Sequence, residues 1–456
     1  MSESAPFYSA LLKYATKERA SFHTPGHKGH AGLLEGLTSL TLDLTELPDT
    51  ADLFGGGDAI EQAEKLASQA FGSALTLFSS GGCTLCIQTM LLLCAGGGGR
   101  VIFARNCHRS AVNAAAILGI TPVWVMPTGN KGQVTEKDIR DILKVEADIS
   151  AVYITSPDYY GNLADISAIS GLCRAAGAKL LVDNAHGGHL GAFGLHPLAL
   201  GADMTADSSH KPLPVLTGGA MLHIGRAGEP CATDRQTAKA AMSMFGSTSP
   251  SFIILASLDL ARDWWQRAGI QAYGIAAESV AGLEQLATRE GISVCSGGLR
   301  DPSRLTLDTS ILGIDGMMAA KYFREQGCEP EYSDGQYVVF IITPFNTPDE
   351  IQRLRATIKG LTVAFRRGAF WRPGKKRTPP DYNYAMPLPE AAMPPREALL
   401  AGCETVDADH AVGRIAARSV CPCPPGIAVV VPGEIIDAQA AEKLKLFGFE
   451  RLVVVK

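Results

Sequence analysis

Between about residues 60 and 225, short apolar runs alternate with stretches of helical periodicity, and no other feature of the chain narrows its possible folds as much. The runs cover residues 74–78, 100–104, 122–126, 151–155 and 179–182. Ala59 to Phe71 places apolar residues at helical spacing and closes at Gly72, and residues 84–94 do the same before stopping at the glycines 96–99. Strands this short and apolar, separated by helices, predict a largely parallel sheet covered on both faces. Ligands of such sheets bind beyond the carboxyl ends of the strands. The loops that follow these runs, residues 80–84, 106–110, 156–161 and 183–189, hold most of the polar candidates.

The most informative pair of residues is Asp183, at the end of the run Lys-Leu-Leu-Val-Asp183, and Lys211, 28 residues later in Ser208-Ser-His210-Lys211. An aspartate at a strand end followed by a lysine in a polar turn suits pyridoxal phosphate (PLP). The lysine forms a Schiff base with the aldehyde, and the aspartate keeps the pyridine nitrogen protonated so that the ring accepts electrons. The competing reading is a strand-end acid and a surface lysine.

At 456 residues, two or three domains are expected rather than one core. Net charge is −5, without a long basic run, so nucleic acid is not an evident partner. The N-terminus lacks an apolar signal core and no apolar stretch reaches spanning length, so a soluble, cytoplasmic chain without a membrane partner is expected. The eleven cysteines are scattered and no histidine-rich stretch gives them zinc spacing. Reduced thiols and no metal are expected.

The predicted organisation is an N-terminal segment (1–58), a cofactor-binding large domain (59–290) and a smaller α+β domain (291–365). A basic, extended linker follows (366–396), which holds seven prolines, and then a C-terminal module (397–456). In that module a helix is expected near residues 407–419 and a strand at 427–431.

Taken in order, the motifs make the chain resemble the Orn/Lys/Arg decarboxylases, in the short bacterial form without a receiver-like N-terminal domain. They begin with Phe22-His-Thr-Pro25-Gly26-His27-Lys28-Gly29, Asp43-Leu-Thr-Glu46 and Ala51-Asp52-Leu53. Asn106-Cys-His108-Arg-Ser110, Ser156-Pro157-Asp-Tyr159-Tyr160-Gly161, Asp183-Asn-Ala-His186 and Ser208-Ser-His210-Lys211 follow. Thr248-Ser249-Pro250 and, near the end, Gly413-Arg414, Pro424-Pro425-Gly426 and Pro432-Gly433-Glu434 complete the set.

The resemblance implies an α/β chain of the PLP-dependent transferase (aspartate aminotransferase-like) fold type I. It implies a mostly parallel central sheet, a small α+β domain and a C-terminal module. The implied activity is PLP-dependent decarboxylation of arginine, lysine or ornithine in polyamine-related metabolism, by a homodimer with its sites at the subunit interface. The alternatives are an aminotransferase or another PLP lyase on the same fold, or a degenerate homologue without catalysis.

By the same resemblance, Lys211 is the Schiff-base lysine, Asp183 the partner of the pyridine nitrogen and His108 the histidine stacked on the ring. His186 is a second histidine beside the cofactor, while His210 and Ser208 flank the lysine for phosphate binding or proton relay. Ser80, Gly81, Gly82, Cys83 and Thr84 precede a helix and suit a phosphate cup. Thr248 and Ser249 resemble the loop that reaches the neighbouring subunit's phosphate. Carboxylates should meet a cationic substrate, and Glu46, Asp49, Asp52, Glu331 and Asp334 are the candidates. Gly82 and Cys83 stand where the family carries hydroxyls, and Asn184 where it carries a glutamate. If the backbone at Gly82 has negative φ, threonine there should tighten cofactor binding, and if it needs positive φ, threonine should strain the loop and loosen it.

Overall fold

A computed structural model of the chain describes residues 16–456 apart from 18, 48–49, 57–58, 130–131, 227, 229–232, 296, 368–387 and 423–425. After a short strand β1 (Ala20–Phe22), the apolar runs become strands of one sheet. They are β2 (Ser73–Ser79), β3 (Arg100–Ala104), β4 (Thr121–Val125), β5 (Ile149–Thr155) and β6 (Lys179–Asp183), joined by β7 (Met204–Asp207) and β8 (Ala220–Arg226). Their order is β2-β8-β7-β6-β5-β3-β4. The links from β7 through β4 are parallel, and β8 runs antiparallel between β7 and β2. The periodicity of the sequence did not single out β7 and β8. The run Met204-Thr-Ala-Asp207 is short, and Ala220–Arg226 contains His223, which is fully buried against Thr76.

The central strands are buried on both faces, as parallel strands between helices must be. One face packs on the helix Gly82–Ala95 through Cys86, Met90 and Leu91, with Val101, Phe103, Tyr153 and Leu181 from the sheet. The other face packs Ile102, Val152, Ile154, Leu180 and Val182 against Ile139, Ile166 and Ile169. The helix Glu136–Val145 is set by a capping box between Thr135 and Asp138, which satisfies two orphan N–H groups at its start.

Further along, β9 (Ser293–Val294), β10 (Arg304–Asp308), β12 (Tyr332–Ser333) and β13 (Tyr337–Ile341) form a second sheet in the order β12-β13-β10-β9. The strand β11 (Cys328–Pro330) pairs in parallel with β1 and so ties the N-terminal segment to this region. The helices Ile270–Arg289 and Pro348–Arg366 cover it.

The C-terminal region pairs β14 (Cys403–Asp407) with β15 (Arg451–Val455). The helix expected at residues 407–419 is absent there. Only the turn Ala408–His410 is helical, and Gly413, at φ 81°, gives its N–H to Ile436. Ala416 instead bonds back to Glu434 and Val454 pairs opposite it, so this part of the expected helix is buried by bridges to distant segments of the chain. The helix of this region is Ala438–Leu446, capped by Asp437. Residues 427–431 form isolated bridges rather than the expected strand, Ile427 with His108 and Val430 with Val420. Most of the Pro-rich stretch lies outside the described residues.

A buried ion pair fastens this region to the large sheet. Arg105, next after β3, places Nη2 2.8 Å from Glu434 and 3.1 Å from the Val429 carbonyl, with its guanidinium over Trp124. Glu434 also accepts the Val431 N–H at 2.8 Å. Both side chains are at most 7% exposed. Removing one partner strands the other charge, so Glu434→Ala should destabilise the protein by about 3 to 5 kcal/mol. Urea unfolding of the two proteins checks this, and a midpoint unchanged within error would contradict it.

Candidate functional site

Three neighbouring strands end at one place. Thr155 at the end of β5 is in register with Asp183 at the end of β6, and Asp183 with Ala206 of β7. Beyond these ends lies a cavity of about 290 Å³. Lys211, Asp183, His186, His108, His210 and Ser208 line it, together with Gly82, Cys83 and Thr84. The structure therefore brings together nine of the residues singled out in the sequence. Asn106, Thr155, Asp158, Tyr159 and Ile427 line it as well.

Asp183 is 2% exposed and its carboxylate accepts from the Ala185 N–H at 3.1 Å and from the Tyr153 hydroxyl at 3.2 Å. The Cys83 thiol lies 3.9 Å from the same carboxylate, and burial raises its pKa well above the ordinary thiol value, so it stays a thiol. Lys211 sits in a tight turn in which its own N–H bonds to Ser208 and the His210 N–H to Gly219. Its Nζ lies 3.0 Å from His186 Nε2 and 6.0 Å from the centre of the Tyr159 ring. The N-terminal motif braces this turn from outside. Gly26 N–H donates to the His210 carbonyl, and a Cβ on residue 26 would lie 2.2 Å from the Pro212 oxygen, so only glycine permits the approach.

The histidines are held neutral by burial. His210 is pushed down to about 4, His186 well below its ordinary value, and His108 downward. His108 caps the helix Arg109–Leu118 by accepting the Ser110 N–H at Nδ1. The C-terminal region closes over it. Arg109 N–H bonds to the Gly426 carbonyl, and a Cβ on Gly426 would lie 2.5 Å from His108 Cδ2. His189, in contrast, is tied to Asp301 at 2.8 Å and packs in a tilted arrangement against Tyr273, away from the cavity.

Other expected site residues do not line the cavity of this chain. Ser80 and Gly81 precede the helix without reaching it, and Thr248 and Ser249 are exposed on a separate loop. Asp334 is spent on the Tyr337 and Gln336 N–H groups and the Tyr160 hydroxyl. Asp52 accepts the Phe54 N–H, Glu46 the Thr45 hydroxyl and Glu331 the Thr24 N–H. Glu331 also faces Lys28, whose ammonium burial pulls down to about 7. Asp49 lies outside the described residues.

Sequence reasoning missed Arg304, which touches His186 from the second sheet, and the Gly426-Ile427 cover over His108. Neither carries a local signal, because each acts from a distant part of the chain. Tyr159 stood in a loop already marked as converging on the strand ends.

A second buried group, His196, Asp207 and His223, has its ligand-type atoms within 4.8 Å of one another. Leu198 N–H donates to His196 Nδ1, so the proton of that ring sits on Nε2 and points to Asp207 Oδ2 at 2.9 Å. That is hydrogen-bonding polarity rather than a lone pair offered to a metal.

The cavity fits PLP on the chemistry of its donors. A buried carboxylate for a ring nitrogen, an amine for an aldehyde and a helix N-terminus for a phosphate all converge on it. Two buried polar atoms on its wall, Thr155 Oγ1 and Asn106 Oδ1, have no hydrogen-bond partner among the described residues, as a ligand site would leave them.

Comparison with known proteins agrees. The profile of the Orn/Lys/Arg decarboxylase major domain matches residues 5–286, and that of the Orn/Lys/Arg decarboxylase C-terminal domain matches residues 381–453. The arginine decarboxylase of Bacillus subtilis is 31% identical over 95% of this chain and 91% of its own length. Lysine decarboxylase LdcA of Pseudomonas aeruginosa is 23% identical over 98% of this chain and 76% of its own. Among solved structures, the constitutive lysine decarboxylase of Escherichia coli superposes with a TM-score of 0.73 at 18% identity, covering 99% of this chain and 82% of that one. L-threonine transaldolase from Pseudomonas fluorescens follows at 0.61 and 14%, over 80% and 88%. The fold is PLP fold type I.

Gly82 begins the helix at the cavity with φ 69°, and its N–H bonds to the Gly218 carbonyl. The glycine is thus there for its backbone, which selects the positive-φ alternative over the expectation that a hydroxyl at this position would help. Gly82→Thr should loosen PLP binding, because a β-branched residue is strained at positive φ. A strain of about 1 to 3 kcal/mol corresponds to roughly a five- to hundredfold rise in Kd, read by cofactor titration. Tighter binding in the variant would restore the missing-hydroxyl argument.

Proposed function

Because this chain belongs to the Orn/Lys/Arg decarboxylase family and is a PLP-dependent amino-acid decarboxylase, we propose that its substrate is arginine and that Lys211 carries the cofactor. The observation that carries the assignment of the site is the convergence of Lys211, Asp183 and His186 on one cavity at the carboxyl ends of β5, β6 and β7. Arginine is favoured because the more similar relatives, at 28 to 31% identity over nearly the whole chain, include four named arginine decarboxylase. Those named lysine decarboxylase stand at 22 and 23%.

When bound, PLP supplies a conjugated sink for the electron pair released as the Cα–carboxylate bond breaks. Asp183, anchored by Tyr153 and the Ala185 N–H, holds positive charge at the ring nitrogen from a fixed, water-poor position. The N-terminus of the helix Gly82–Ala95 and Thr84 hold the phosphate. His108 lies against one wall, kept there by its cap to Ser110 and by Gly426.

The proton that replaces the carboxylate at Cα is assigned to Lys211, which at that stage carries it as an ammonium, unlike the free amine that first attacks the aldehyde. His210 is the weaker candidate, because its Nδ1 donates to the Gly219 carbonyl and leaves only a lone pair at Nε2. With its pKa at about 4, the ring does not take on a second proton near neutral pH.

Two carboxylates line the cavity among the described residues, and both are already engaged. Asp158 accepts the N–H groups of Tyr160 and Asn162 and the Asn162 amide, and Asp183 is held as above. We take the working unit to be a homodimer, with carboxylates of a second copy of the chain as candidate acceptors for a guanidinium. The exposed leucines Leu40, Leu42, Leu44 and Leu47, from 43 to 86% accessible, supply an apolar strip for that contact. Cytoplasmic polyamine-related metabolism is the setting that this chemistry suits, and no helix among the described residues is long and apolar enough to cross a membrane.

Carbon dioxide release from L-arginine, L-lysine and L-ornithine tests the substrate, with arginine expected to give the highest kcat/KM. A preference for either of the others would sink the arginine assignment. Asp183→Asn should lower kcat by a factor on the order of a hundred or more while the visible absorbance of the attached cofactor persists. Near-normal turnover would show that Asp183 is not the ring partner.

A further inference from the structure

We propose that Arg304 is a positioning residue for Lys211: it fixes the tautomer of His186, so that the lysine amine faces a hydrogen-bond donor and is held as the free base that attacks an aldehyde. The inference rests on the reading of Lys211 as the cofactor lysine.

The argument follows from the direction of three hydrogen bonds. Arg304 opens β10 and is 1% exposed. A guanidinium has donors and no acceptor. Its Nη2 lies 3.3 Å from His186 Nδ1, so that nitrogen must present its lone pair. A neutral imidazole has one proton, which is then on Nε2. Nε2 lies 3.0 Å from Lys211 Nζ. An ammonium group would set two donors against each other across that distance, whereas an unprotonated amine accepts the Nε2 proton. Only the unprotonated amine is a nucleophile toward a carbonyl carbon.

The surroundings hold Arg304 to this task. Its Nη1 donates to the Tyr159 carbonyl at 3.1 Å, and Asp301 lies 3.6 Å from Nη2. Asp301 is itself fixed by His189 at 2.8 Å and by the Ser303 N–H and hydroxyl. Gly161, at φ 86°, leaves room for the arginine stem, since a Cβ there would lie 2.7 Å from Arg304 Cγ. The Tyr159 ring packs edge-on against His186 with centroids 4.7 Å apart and stops the imidazole from turning away. The ionisable groups facing the pair are Asp183 from β6, Cys83 from the helix Gly82–Ala95, His108, His210, and Asp158 and Tyr159 from the loop after β5. Glu331, between β11 and β12, acts on His210 and, like Arg304, on the buried Lys28, and Asp301 stands behind Arg304. Burial keeps His186 uncharged throughout the neutral range, so a second ring proton does not undo the arrangement.

Without the arginine donor, His186 is free to carry its proton on Nδ1 and to accept from a lysine ammonium. The ammonium is then stabilised, and capture of the aldehyde needs a higher pH.

The test is the pH dependence of the rate at which full-length apoprotein captures added PLP, followed by the imine absorbance. Borohydride trapping and peptide mapping in each protein show where the label lies. Arg304→Lys keeps a charge beside Asp301 but replaces the fork by a single point donor. It should move the half-maximal pH upward by about one unit, roughly the worth of one hydrogen bond. Arg304→Gln should move it at least as far. In a His186→Phe background, neither change at 304 should add a further shift, because the group through which arginine acts is gone.

Equal shifts in both backgrounds would mean that Arg304 acts only as a charge, and no shift would mean that it does not act on Lys211. Either result overturns the proposal. Should both Arg304 variants fail to fold, His186→Phe alone must show the upward shift, and an unmoved profile would refute it. A label on a lysine other than Lys211 would instead overturn the assignment of the cofactor lysine.

Discussion

The parallel register of β5, β6 and β7 is the constraint on which the rest of the site depends. Because Thr155, Asp183 and Ala206 are paired level with one another, three chain exits open at one edge of the sheet. A slip of one residue in β6 would turn Asp183 to the opposite face. The fully buried Leu180, Leu181 and Val182 fix that register, since both faces of the strand are packed and neither tolerates polar exchange. Core packing thus sets the position of the Asp183 carboxylate through two-residue alternation alone.

What surrounds that edge comes from distant parts of the chain. Gly26 braces the Lys211 turn, Arg304 reaches His186 from the second sheet, and Gly426 with Ile427 covers His108 from the C-terminal region. The buried Arg105–Glu434 pair makes the last of these placements durable, since it sits at the end of β3 close to Asn106 and His108. Loss of that pair would loosen the cover over the cavity as well as lower stability. The glycines at 26 and 426 allow backbone to lie against neighbours where any Cβ would collide.

Legibility in the sequence followed the range over which each signal acts. The strands through β6 were legible because each is an apolar run with its own turn residues, Asp183 because it ends such a run, and Lys211 because it stands in the polar turn Ser208-Ser-His210-Lys211. β8 was not, because His223 breaks its apolar pattern while being buried against Thr76. Residues 407–419 were misread as a helix, since burial of Ala416 by a bridge to β15 leaves no local pattern that distinguishes it from helix burial. The glycine at 82 looked like a missing hydroxyl because its φ of 69° is set by Gly218, 136 residues further along the chain, and no local pattern reports such a partner. Arg304 escaped for the same reason.

The histidines of the cavity illustrate why geometry adds chemistry that motifs cannot carry. Each has one nitrogen committed from behind. His108 Nδ1 accepts the Ser110 N–H, His186 Nδ1 accepts from Arg304, and His210 Nδ1 donates to the Gly219 carbonyl. In the neutral ring the other nitrogen is then determined, a donor in His108 and His186 and an acceptor in His210. Three identical side chains therefore present two different polarities, and the sequence spells all of them as His. Burial holds the rings neutral, so these polarities persist across the neutral pH range rather than averaging with an imidazolium. The hydrogen-bonding character of the wall around Lys211 is consequently set by Ser110, Arg304 and Gly219, each of which commits one ring nitrogen.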